Sequence, residues 1–204
     1  MASIQSTAPG MRGRVSWRRF AAILLPSLAA VAVLVVLTGQ SVVAVSFSIS
    51  GRPFTVTARQ LKGQGFEQFG VVDHSARPAR PGDSNVIVLA TSAIRSATLT
   101  DLCQSVTLGG LTLRITAGTG GTPVTATNLV VDGDRLSGTA SFTNIQIGRD
   151  ASTLNEVPGI RGPAGGFGQQ ADTVTIDNLR QHAYSTTAGT FTLPDFSLSF
   201  GGAC

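Results

Sequence analysis

Leu111–Ala117 reads LTLRITA, with apolar side chains at 111, 113, 115 and 117 and polar or charged ones between them. A period of two sends alternate side chains to opposite faces of an extended chain, so this stretch predicts a strand with one dry face and one wet face. The pattern recurs outward in both directions. Phe54, Val56 and Ala58 alternate with Thr and Arg, and further upstream Val45, Phe47 and Ile49 alternate with serines. Toward the other end, Phe191 and Leu193 repeat it, then Phe196, Leu198 and Phe200. Thr, Val and Ile favour strands and are plentiful. Helical spacing does not persist beyond two turns; the best helix candidate is a short one near Asp150–Asn155.

Turn residues divide these strands. Gly118–Pro123 (GTGGTP) is expected to separate two of them, and Asp132-Gly133-Asp134 reads as a hairpin. Two connections, Asp73–Asn85 and Pro158–Gly168, are too rich in Pro and Gly for regular structure. Five phrases end in Asn or Asp followed by an apolar residue: ATLTDL (97–102), TATNL (125–129), SFTNI (141–145), VTIDNL (174–179) and TFTLPDF (190–196). Their spacing is too irregular for a solenoid and suits a meander in which each strand ends in a polar residue that caps a turn. The expected fold is all-β: a single twisted sheet formed as a barrel, a sandwich or a β-groove, preceded by one N-terminal transmembrane or signal helix.

The chain has 204 residues and a net charge of +4. The excess lies in Arg12, Arg14, Arg18 and Arg19; residues 45–204 balance 11 basic against 11 acidic side chains. The basic pI therefore describes a leader and gives no nucleic-acid face. Phe20–Leu37 is an uncharged apolar run behind those arginines, roughly 27 Å long as a helix and about a bilayer core thick. The positive-inside rule assigns residues 1–19 to a cytoplasmic basic leader, 20–44 to a transmembrane helix or signal peptide, and 45–204 to an extracytoplasmic all-β domain. Ser41–Ala44 (SVVA) ends in a pattern a signal peptidase accepts, so both an uncleaved anchor and cleavage after Ala44 are expectations.

Cys103 and Cys204 are the two cysteines. Both follow the leader, the count is even, and disulfides persist outside the cytoplasm, so a Cys103–Cys204 bridge is expected. Closing a loop of about 100 residues stabilises by up to roughly 4–5 kcal/mol on the chain-entropy account.

FTVTARQLKGQGFEQFG (54–70), SAIRSATLTDLCQSV (92–106), TAGTGGTPVTATNLVVD (116–132) and GQQADTVTIDNLRQHAYSTTAGTFTLPDFSL (168–198) resemble an actinobacterial family of exported or membrane-anchored proteins, common in Streptomyces. The likeness extends over nearly the whole chain. Some members of that family carry an automatic cholesterol-esterase label, and its genes lie near one for a small multi-span membrane protein. The resemblance thus implies a lipid-related ligand, or a membrane-protein partner.

The residues give the esterase little support. A serine hydrolase needs an activated serine, a histidine base and an orienting acid. No Gly-x-Ser-x-Gly elbow occurs. The candidate bases are His74, beside Asp73 and Ser75, and His182, whose nearby acid in sequence is Asp177. No metal motif, phosphate loop or cofactor signature is present. The expectation is a membrane-anchored or secreted envelope protein with a non-enzymatic binding role, attached to the membrane through residues 20–44, taking a lipid-like ligand or a membrane-protein partner. No catalytic residue, cofactor or metal is assigned. A secreted lipid esterase and a purely structural module are the alternatives.

Overall fold

The computed structural model describes residues 52–74 and 86–204, together with Trp17, Phe20, Ala22, Leu24, Pro26, Ser27 and Leu28. The chain divides into two compact units, Met1–Val45 and Ser46–Cys204. In the first, the described residues are helical, and the Trp17 and Phe20 rings meet edge to face at 6.0 Å. Among the described residues no helix is long and apolar enough to cross a membrane. Most of the expected span, Ala44, the strand at 45–49 and the loop at 75–85 lie outside the described residues.

The second unit is all β, a nine-stranded antiparallel sheet. Its strands are β1 (Phe54–His74), β2 (Val86–Thr100), β3 (Leu102–Leu108), β4 (Leu111–Ala117), β5 (Val124–Thr143), β6 (Gln146–Asp150), β7 (Phe167–Thr187), β8 (Thr190–Thr192) and β9 (Ser197–Phe200). The four long strands close on themselves: β1 pairs with β2, β2 with β5, β5 with β7, and β7 with β1. Closure removes the free edges that an open sheet would expose. Outside this ring, β3, β4 and β9 form a flap joined to the start of β1 through β3. β8 adds to β5, and β6 adds to β7.

The five polar-apolar phrases have a sharper meaning than strand ends. Asp101, Asn128, Asn144, Asn178 and Asp195 are the non-glycine residues with positive φ among those described, all between 47° and 54°. Asn and Asp tolerate this left-handed conformation better than other side chains bearing a Cβ. Asn128 and Asn178 do not end strands; they sit inside β5 and β7. Each shifts the alternation by one. Val124 and Ala126 are buried, then Leu129; Val174 and Ile176 are buried, then Leu179. The strand bends there, and its apolar residues stay inward through the bend.

These residues line up across the sheet as two creases. Along one, Asn178 lies opposite Arg59, between the pairs Ala58/Leu179 and Gln60/Asp177. Arg59 Nε reaches Asp101 Oδ2 at 2.7 Å, and the Asp101 amide donates to Gly118 O. The Gly118 amide donates to the carbonyl of Pro194, next to Asp195. Along the other, Asn128 lies between the pairs Ile94/Leu129 and Ser96/Thr127, with Arg95 opposite. Gly65, at φ 66°, takes the same place in β1 between Gln64 and Phe66.

The core fills the ring with Leu61, Phe66, Ile94, Leu129, Ile176 and their neighbours. A smaller cluster lies outside the ring, where residues 151–166 strap over β1 and β7 and bury Ala151 and Leu154 against Phe69. The predicted short helix is a 3-10 turn, Ala151–Thr153, capped by Asp150. Hydrogen bonds from the amide and hydroxyl of Ser152 and the amide of Gly165 hold the Asp150 carboxyl below the usual carboxylate range.

The hairpin expected at Asp132-Gly133-Asp134 is not formed; β5 runs through it. The register of β5 against β7 shifts on both sides of Gly133, and a Cβ there would come within 2.6 Å of His182 O. The glycine serves close approach between strands at a bulge, and no reversal of the chain is needed.

Candidate functional site

The ring interior retains a cavity. An apolar slot of about 50 Å³ lies among Leu61, Phe66, Ile94, Leu129, Ile176 and Leu179, contributed by all four long strands. Leu136 and Phe191, both partly exposed, also border it. One water needs about 10–15 Å³ of such space, so the slot has room for a few groups of that size.

A second pocket, of about 160 Å³, shares Ser92, Leu136 and Gln181 with the slot. Its remaining lining is polar or small and includes Gln68, Asp134 and Arg135. Gln68 Nε2 donates to Ser92 Oγ at 2.8 Å, and Gln169 Nε2 donates to Gln68 Oε1 at 2.7 Å. The apolar slot and this second pocket therefore share three lining residues.

The apolar side of the flap leads away from the slot. Leu102 and Gln104 line the slot. Directly opposite residues share a face, so Gln104, Ile115 and Leu198 form one row, and Val106, Leu113 and Phe200 the next. Burial falls along this face: Leu102 is 3% exposed, Leu198 51% and Phe200 71%. On the opposite face Cys103 bonds to Cys204, and the Cys204 amide donates to Ser105 Oγ.

The candidate bases fare differently from their sequence neighbourhoods. His182 pairs with Asp134, Nδ1 to Oδ1 at 2.6 Å, and not with Asp177, which accepts a hydrogen bond from Gln60. Sequence proximity pointed to the wrong acid because β5 lies beside β7 at this level, pairing Arg135 with His182. The Tyr184 ring packs edge-on against His182, and desolvation together with the charge and hydrogen bond of Asp134 raises its hydroxyl pKa. Among the described residues no serine hydroxyl is hydrogen-bonded to His182. His74 is exposed at the end of β1, its amide bonded to Asp73. Among the described residues no cluster of three or more His, Cys, Asp or Glu is placed to hold a metal ion.

Glu67 has no part in the sequence reading. It is 0% exposed, beneath the strap, with Oε1 accepting from the Val157 amide at 2.7 Å and Oε2 without a partner. Burial is the largest influence and raises its carboxyl above the ordinary range; the Val157 and Glu156 amides and Arg161 oppose this, and the charge of Glu156 adds to it. The signal was present in FEQFG: Glu67 stands two residues before Phe69, and Phe69 belongs to the cluster beneath the strap.

Neither a curated protein nor a solved structure matches this chain. A family model does, over residues 50–204, and the chain belongs to that family, described as a family of unknown function (DUF6230).

Proposed function

We propose that this chain is a cell-envelope binding protein, held in the membrane or exported by residues 20–44, whose β-domain takes a slender amphiphile with its apolar chain in the ring interior. The observation that carries the reading is the junction itself: the apolar slot and a pocket bordered by Gln68, Asp134 and Arg135 share Ser92, Leu136 and Gln181 as lining. Ligand sites combine an apolar lining with a few placed polar groups in this way. The small volume of the slot, about 50 Å³, favours a single methylene chain over a fused-ring sterol. The apolar side of the flap, ending in the exposed Leu198 and Phe200, gives such a chain an apolar approach that reaches the slot beside Leu102 and Gln104. The arginine-led apolar leader and the Cys103–Cys204 bridge support an address on the oxidising side of the membrane. The esterase reading lacks support at His182, which among the described residues is hydrogen-bonded to Asp134 and to no serine hydroxyl.

Native mass spectrometry of the full-length protein extracted from its own membrane tests this. A single-chain lipid should accompany the wild type. Leu136→Trp fills the junction at a position already 37% exposed, and should remove the adduct without unfolding the domain. A wild type of bare mass, or an adduct indifferent to Leu136→Trp, overturns the proposal.

A further inference from the structure

We infer that the head of the ligand is uncharged and accepts hydrogen bonds through an ester or amide carbonyl, as in a monoacylglycerol or a long-chain amide; this rests on the slot holding an apolar chain. A chain seated in the slot places its head at the junction, because Ser92, Leu136 and Gln181 line both cavities. The polar groups there have protons to give. Ser92 Oγ already accepts from Gln68 Nε2, and Gln68 Oε1 is in turn taken by Gln169, so the Ser92 hydroxyl keeps its proton to give. Gln181 pairs with Leu136 across β5 and β7, and its side-chain nitrogen lies where a Cβ on Gly133 would come within 3.3 Å. The missing side chain at Gly133 leaves that amide room beside the junction.

The charge in the pocket is balanced. Asp134 and Arg135 both line it with opposite formal charges, and Asp134 is already engaged by His182. Arg135 is exposed, whereas Ser92 and Gln181 are both 8% exposed and neutral. A carboxylate or phosphate seated against those two would lose its water without a dedicated counter-charge, which is costly. A carbonyl needs only the two donors.

Titration calorimetry of the full-length protein with octane, monooctanoylglycerol and octanoate, each below micelle formation, separates the parts of this inference. Monooctanoylglycerol should bind about tenfold tighter than octane, in line with one or two net hydrogen bonds, and octanoate should bind no better than octane. Ser92→Ala combined with Gln181→Leu should erase the advantage of monooctanoylglycerol over octane, both ligands being measured on the same variant because the two residues also line the slot. Octanoate binding as tightly as monooctanoylglycerol, or a double variant that keeps the preference, overturns the head-group inference while octane binding preserves the slot. Failure of both octane and monooctanoylglycerol to bind removes the slot as well.

Discussion

The ring and the flap use the same alternating code and end in opposite states. In the ring, the inward residues of β1, β2, β5 and β7 meet one another and are buried, as with Leu129 at 4% and Val174 at 1% exposure. In the flap, β4 and β9 carry an equally regular apolar row whose outer end is exposed among the described residues, with Leu198 and Phe200 open to solvent. Alternation fixes which side of a strand is dry in character; closure decides whether that side becomes dry in fact. The flap is tied to the ring by the start of β1, and the bond from Cys103 to Cys204 pins the chain after β9 to β3 within it.

Substitution should separate the two regions. Leu129→Ala in the ring is expected to cost about 2–5 kcal/mol, the range for a buried leucine, whereas Phe200→Ala on the flap should stay within about 0.5 kcal/mol. Denaturant titration of both variants gives the contrast directly, and equal costs would break it. Next in size is the disulfide. Cys103→Ser is expected to cost about 2–5 kcal/mol. Hydrogen exchange should find the loss concentrated in β4 and β9 while the amides of β1 and β7 keep their protection. Uniform loss would mean that the flap and the ring open together.

The creases allow a finer comparison. Asn178→Val should cost about 1–3 kcal/mol, because a β-branched residue is forced into a left-handed conformation. Asn178→Gly should be nearly neutral, since glycine adopts that conformation freely. If valine and glycine behave alike, the Asn178 conformation is not what bends β7.

The strap supplies the smallest effect. Glu67 is raised in the folded state, so the folded protein retains a proton that the unfolded chain releases. Its contribution to stability is present below the ordinary glutamate value of about 4.3, and is lost as pH rises toward the folded value. Glu67→Gln should flatten stability over that window while leaving octane binding unchanged, since Glu67 lies under the strap and away from the slot. A parallel curve for Glu67→Gln would remove the carboxyl from the account.

Much of the fold was legible. LTLRITA is β4 and FTVTA opens β1, in the extended form their alternation predicts. The Asn/Asp phrases were visible as a repeat, but whether a left-handed residue ends a strand or bends it depends on what pairs beyond it, and that is long-range information. Asp132-Gly133-Asp134 misled for the same reason: a glycine allows a reversal and a close approach equally, and here His182 O decides. The two cysteines were paired in advance by number and address. The slot was not legible, because a filled ring and a partly open one share one alternation. Ser92, Gln68 and Gln181 meet only through the registers of three strand pairs.

Methyl resonances provide the most direct test of the central claim, that the ring interior and not the flap or the strap receives an apolar chain. In the full-length protein with labelled Ile, Leu and Val methyls, added monooctanoylglycerol should shift Ile94, Leu129, Ile176 and Leu179 at the slot and leave the buried Leu154 and Val157 of the strap in place. Shifts confined to Leu198 on the flap, or to Leu154 and Val157, would contradict it.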